Sequence, residues 1–165
     1  VLLDAYPRDT WQAHPHFDGL VAFWLDRHLM FRRLTDALRS DAEAAADRTL
    51  DPQTHNARLS RYGGMLLQQL HGHHQIEDHH YFPQLSGLES RLAHGFTILD
   101  KDHHAMDALL HRFADGANGV LQGRTEPGVF AADLARFDAL LLRHLEDEED
   151  LIVPVILKHG PQGLA

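Results

Sequence analysis

In four stretches of this chain the apolar residues recur at steps of three and four, and in each stretch the same step lands on a histidine. Such steps keep residues on one face of a helix, and that is the face a globular helix buries. The first stripe, 17, 21, 24, 28, 31, includes His28. The second, 59, 62, 66, 70, 73, 77, ends on His73 and Glu77. The third, 96, 99, 103, 106, 110, 113, includes His103, and the fourth, 130, 134, 137, 141, 144, 148, ends on His144 and Glu148. One histidine on a buried face is ordinarily a hydrogen-bonded core residue. Four histidines with two glutamates need more, because an unpaired buried carboxylate is costly and takes up a proton instead. Cations among them would supply the missing charge.

The same stripes predict four long helices, over about 15–40, 52–82, 89–121 and 129–158, in a single domain spanning 1–165. Asp51 followed by Pro52 reads as an N-cap and a first helical residue. SDAEAAADRTLDP reads as a loop, and Pro83 with QLSG as the end of the second helix. Gly116 and Gly119 are expected to fray the third helix, and Pro154 to kink the fourth or end it early. No useful strand-like alternation occurs. The expected fold is all-α, an up-down-up-down antiparallel four-helix bundle.

In such a bundle the polar groups fall at one depth. His73 and His144 each lie ten residues before a proline, Pro83 and Pro154. At a rise of 1.5 Å per residue that is about 15 Å from the helix end. His28 and His103, on helices running the other way, lie roughly 16–21 Å from the same end of the bundle.

Composition narrows the function classes. The chain has no cysteine, which removes disulfides, thiolate metal sites and a cysteine nucleophile. Its net charge of −9 argues against nucleic-acid and anionic-membrane partners. Neither an 18-residue apolar run nor a basic-then-apolar leader is present, so a cytoplasmic location without a membrane span is expected. Histidine is unusually abundant, 15 in all, and five of these fall within HGHHQIEDHH. A tag would sit at a terminus and lack the acids.

The second and fourth helices repeat each other. HHQIEDHHYFP and HLEDEEDLIVP both have the form H-x3-E-x5-P, with Glu77 and Glu148 as the shared acid. Residues four apart are neighbours on one helix face, so imidazole and carboxylate can converge on adjacent metals. That donor set suits iron, manganese or zinc better than calcium or magnesium. His74 with Asp78, and His104 with Ala108, are the neighbouring registers. His74 lies about 100° round the helix from His73. His103 is preferred over His104 because apolar residues follow it at the helical step. His74, Asp78, His79, His104 and Asp107 are expected on the flank or surface, or as partners that orient ligands, with His74 also a possible extra ligand. His80 and Tyr81 are expected near the same face as Glu77, as core or end-lining residues, with direct ligation the sharper alternative.

These segments, with WLDRHLMFRRL and KDHHAMDALL, resemble the hemerythrin-like family of HHE cation-binding domains over nearly the whole chain. The resemblance implies two iron ions, His28 and His73 serving one, His103 and His144 the other, with Glu77 and Glu148 bridging them and a solvent-derived oxo or hydroxo bridge. Zinc or manganese are possible substitutes. Oxygen-carrying hemerythrins have a second histidine on the third helix, where this chain has Leu99. Their fourth-helix acid is one residue further on, the position of Glu149 here, although the helix-two repeat favours Glu148. Losing a histidine leaves two per iron and an open position on each, unless water or another side chain fills it. A ferritin-like carboxylate bundle is a weaker match, since the first stripe offers no acid.

Open coordination points to an oxidoreductase consuming hydrogen peroxide or nitric oxide, with those molecules or oxygen as small-molecule partners. The alternative is a module that senses or carries oxygen, or stores or delivers iron, without turnover. A sensor of this length would need a separate protein partner.

Overall fold

A computed structural model describes residues 2–162 of the chain. Among these residues every regular element is helical. A short α1 (Leu2–Ala5) and a 3-10 turn (Arg8–Ala13) precede the long helix α2 (Leu20–Ala46). Helix α3 (Pro52–Ile76) passes through a π-helical turn (Glu77–Tyr81) into α4 (Phe82–Leu88). A second 3-10 turn (Ser90–Leu92) leads to α5 (Ala93–Leu121), which is followed by α6 (Pro127–His159).

The boundaries differ from the sequence expectation for local reasons. α2 starts at Leu20 rather than near 15, because Gly19 takes a left-handed φ of 88° that no helix continues through. It runs on to Ala46 through AEAAA, which the sequence reading assigned to a loop, because alanine is the strongest helix former. Asp51 does cap α3: its Oδ2 accepts from Thr54 N–H at 2.9 Å, with Pro52 in the first helical position. α5 reaches Leu121 despite its glycines, and Pro154 lies inside α6 without ending it. α5 begins at Ala93 because Glu89 turns out of helical geometry, its carboxylate taking Lys158 Nζ and, at 2.9 Å, His159 Nε2.

The largest correction is at Pro83, which does not end the helix. Phe82 N–H donates to the carbonyl of Glu77, five residues back. A proline ring crowds the carbonyl four residues before it in a regular α-helix, and the wider turn leaves room for that ring. The extra residue also resets the buried face. The stripe passes from Glu77 to Phe82 and then Leu85, all buried, so Tyr81 at the α-helical step is only half-buried.

The backbone divides into two compact units, and each of the four long helical runs gives one stretch to each. One unit comprises the chain up to Leu29, His73–His103 and the chain from Arg143. Its core is apolar, with Trp11, Val21, Trp24, Phe82, Phe96 and Ile152 buried together. The other comprises Met30–Gly72 and His104–Leu142. There Phe113 packs between Phe130 and Phe137, at ring distances of 5.7 and 6.2 Å. Burying one such ring contributes about 1.5–3 kcal/mol. Gly116 permits this packing, since a Cβ there would sit 3.0 Å from the Phe130 ring. Among the described residues no helix is long and apolar enough to cross a membrane.

Candidate metal centre

Every polar residue that the four stripes single out lies in the first unit. His28, Glu77, His103, His144 and Glu148 are fully or almost fully buried, and the His73 side chain is 8% exposed. They form two groups whose nitrogen and oxygen atoms lie within 4.8 Å of one another: His28, His73, Glu77 and Glu148 in one, His74, His103 and His144 in the other.

Two imidazoles in each group aim at a common point. His28 Nε2 and His73 Nε2 are 3.1 Å apart, and so are His103 Nε2 and His144 Nε2. Two nitrogens bound to one cation at about 2.0–2.1 Å would stand roughly 2.9–3.4 Å apart. The carboxylates span the two groups. Glu148 sets Oε1 at 3.1 Å from His28 Nε2 and Oε2 at 2.9 Å from His144 Nε2. Glu77 sets Oε2 at 3.2 Å from His73 Nε2 and Oε1 at 3.5 Å from His103 Nε2. None of these four oxygens has hydrogen-bond geometry to any partner, although all are buried. Buried carboxylates left that way are costly. A pair of cations, each facing one oxygen of each glutamate, fits both the spacing and the missing partners.

Three of the imidazoles are held from behind. Nδ1 of His28 lies 2.6 Å from Glu149 Oε2, Nδ1 of His103 lies 2.7 Å from Asp78 Oδ1, and Nδ1 of His144 lies 3.2 Å from Asp102 Oδ2. Donating Nδ1–H to a carboxylate fixes the tautomer and turns a bare Nε2 toward the centre, the arrangement found around metal-ligating histidines. The register questions are answered by the same contacts. His103 is buried and His104 exposed, while Glu148 lies between the groups and Glu149 serves His28.

Of the two expectations for His74, a flank position or an extra ligand, its placement fits the second: it is buried and belongs to the second group. Its ring stacks on His103 at 3.9 Å and 16°, and neither ring nitrogen has a partner. The second group thus offers three imidazoles and the first two, the case that the expectation of open positions left to a further side chain. Leu99, where a further histidine was absent, is buried among apolar side chains. His80 joins neither group. The π turn carries Tyr81 off the Glu77 face, and half-buried His80 packs beside its ring at 4.9 Å. Phe82 takes the inward position instead and stacks on His103 at 5.4 Å.

The electrostatics describe a site built for positive charge. Burial alone would hold His73 low, but the Glu77 and Glu148 carboxylates push it up to about 10. Burial likewise opposes protonation of His103, and Glu148 and Glu77 outweigh it, raising it to about 9. His28 is raised against its own burial by Glu148 and Glu149. Burial, reinforced by the charge of Glu148, pushes Glu77 up to about 7. Glu148 goes the other way: its burial is overcome by Glu77 and the surrounding imidazoles, which hold it well below the usual carboxylate range. Burial, with His103 beside it, pushes His74 well below its ordinary value. His74 is therefore neutral at pH 7, the form that ligates a metal.

Comparison with curated proteins finds no match, and neither does comparison with solved structures. Comparison with protein families matches residues 19–156 to the hemerythrin HHE cation binding domain. That span runs from the start of α2 almost to the end of α6 and contains every histidine and glutamate of the two groups, so this chain belongs to the hemerythrin HHE cation-binding domain family.

Proposed function

We propose that this chain is a non-haem di-iron protein whose site reacts with a small oxidant: hydrogen peroxide, oxygen or nitric oxide. One observation carries the reading. Each of two buried glutamates presents one oxygen to each of two histidine groups, and none of those oxygens has a hydrogen bond. On this reading His28 and His73 would hold one iron, His74, His103 and His144 would hold the other, and Glu77 and Glu148 would each offer one oxygen to either. Imidazole with carboxylate suits iron, and zinc or manganese would use the same donors. Bound there, the iron pair supplies redox change and Lewis acidity toward the oxidant. The four long helical runs are read as the up-down-up-down bundle, supported by a histidine on each of them in the first unit.

The protein's own residues make the two ends unequal. Three imidazoles crowd one end, so an incoming molecule has room at the His28–His73 end. There the Trp24 ring stands 4.9 Å from that of His28 and 6.3 Å from that of His73. Trp24 also lines a small apolar pocket with Leu20, Tyr81, Leu85, Ile152 and Ile156. Its volume, ≈ 10 Å³, is that of about one water-sized molecule, a scale that suits a small oxidant. Glu149, Asp78 and Asp102 keep their imidazoles turned inward through the reaction.

The test is consumption of peroxide and of nitric oxide by the iron-loaded protein, with His73→Ala as control. Turnover well above that of free iron, lost in the variant, is expected. Rates no better than free iron would overturn the enzymatic reading. A stable, reversible oxygen spectrum without turnover would make the protein a carrier or sensor instead.

A further inference from the structure

The N-terminal segment bears on the site through one side chain. Arg8 opens the 3-10 turn Arg8–Ala13, ahead of the helices that supply the ligands. Its Nη1 donates to Glu149 Oε1 at 3.1 Å, its Nε to Asp150 Oδ1 at 2.7 Å and its Nη2 to the Glu146 carbonyl at 3.0 Å. The guanidinium thus forks across one turn of α6. Trp11, buried in the apolar core, fixes its other side: the guanidinium carbon lies 4.9 Å from the centre of the Trp11 ring, and Trp11 Nε1 donates to the Tyr6 carbonyl at 2.6 Å.

Glu149 links Arg8 to His28. Its Oε1 takes Arg8 and its Oε2 takes His28 Nδ1 at 2.6 Å. Asp78 and Asp102, which hold His103 and His144, are half-buried and wetted by solvent, whereas Glu149 is 2% exposed. A carboxylate that deep needs a fixed cationic partner to remain charged and in one rotamer. Arg8 is that partner, and its planar fork sets direction as well as charge.

We infer that Arg8 is a positioning residue for the His28 end of the metal centre, acting through Glu149 to hold the imidazole with Nε2 inward. This rests on the metal-binding reading above. Its consequence is that the first metal is bound well only when the N-terminal segment is docked on α6. The second group, held by Asp78 and Asp102, does not depend on it.

The test is Zn²⁺ titration of the metal-free protein, comparing wild type with Arg8→Ala, Arg8→Lys, His28→Ala and the Arg8→Ala/His28→Ala double variant. Arg8→Ala is expected to weaken one of the two binding events by about 10–100-fold, the usual effect of losing a group that orients a ligand, and to leave the other unchanged. Arg8→Lys recovers part of the loss. In the His28→Ala background Arg8→Ala has no further effect. Equal weakening of both events, weakening of neither, or an undiminished effect without His28 would overturn the inference. A second readout needs no metal. In the ¹H–¹⁵N spectrum of the metal-free protein, His28 Nδ1–H should be downfield and slow to exchange, and Arg8→Ala should abolish that protection. A wild type that binds no Zn²⁺ refutes the metal reading, while unchanged His28 protection in Arg8→Ala refutes the role of Arg8.

Discussion

Loading the metal centre at pH 7 should expel about two and a half protons. The figure follows from the groups that must change state. His73 and His103, raised to about 10 and about 9, both carry protons at pH 7, and Glu77, at about 7, carries half of one. Ligation requires neutral imidazole and ionised carboxylate, so all of that leaves when metal binds. His28, also raised, adds to the total. His74 contributes none, being neutral already. Apparent affinity should therefore climb steeply with pH near 7, by about two decades or more per pH unit, and level off above about pH 10. Calorimetric titration of the metal-free protein with Zn²⁺, in buffers of differing ionisation enthalpy at one pH, counts the protons directly. Release of less than one proton would refute the reasoning, because it would mean that the glutamates are not balanced by these imidazoles.

The same groups set the pH dependence of the metal-free fold. His73 and His103, with folded pKa values above the usual 6.5, contribute stability that is present below that value and lost as pH rises through about 9 and 10. Glu77, also raised, loses its share between about 4.5 and 7. Thermal melts should thus show the metal-free protein weaker at pH 10 than at pH 6, and a rise in melting temperature over that range would contradict the assigned environment. Replacing His74 by leucine removes a buried ring with two unpartnered nitrogens and keeps an apolar filling. Metal-free stability in denaturant should hold or rise while Zn²⁺ affinity at one site falls by at least ~10-fold; an unchanged affinity would make His74 a packing residue only. Phe82→Ala should cost about 3–5 kcal/mol in denaturant unfolding, since it empties the position the π turn creates against His103. A cost below 1 kcal/mol would show that Phe82 does not occupy that position in solution.

Much of the centre was legible because helical periodicity is a strong constraint. A histidine or glutamate that falls on an apolar stripe has nowhere to go but inward, and His28, His73, Glu77, His103, His144 and Glu148, which the structure gathers into the two groups, were singled out that way. His74 stood only as a possible extra ligand because one stripe admits one residue per turn, whereas a face packed on both sides admits two neighbours. The available signal was the doublet with its paired acids, His73 with Glu77 and His74 with Asp78. The π turn was hidden because Pro83 looks like a terminator. A better clue was the run of buried apolar residues resuming at Phe82, five steps from Glu77, rather than at Tyr81. Residues 2–14 carry too short a pattern to show periodicity, so Trp11 and Arg8 gave no warning of their contacts with the core and with α6. The extension of α2 through AEAAA was readable from alanine propensity alone.

Diffraction from crystals of the iron-loaded protein, recorded at the iron absorption edge, tests the central claim most directly. Two anomalous peaks are predicted, one ringed by His28 and His73, the other by His74, His103 and His144, with Glu77 and Glu148 reaching both. A single peak, a peak away from these side chains, or glutamates hydrogen-bonded only to water would contradict it.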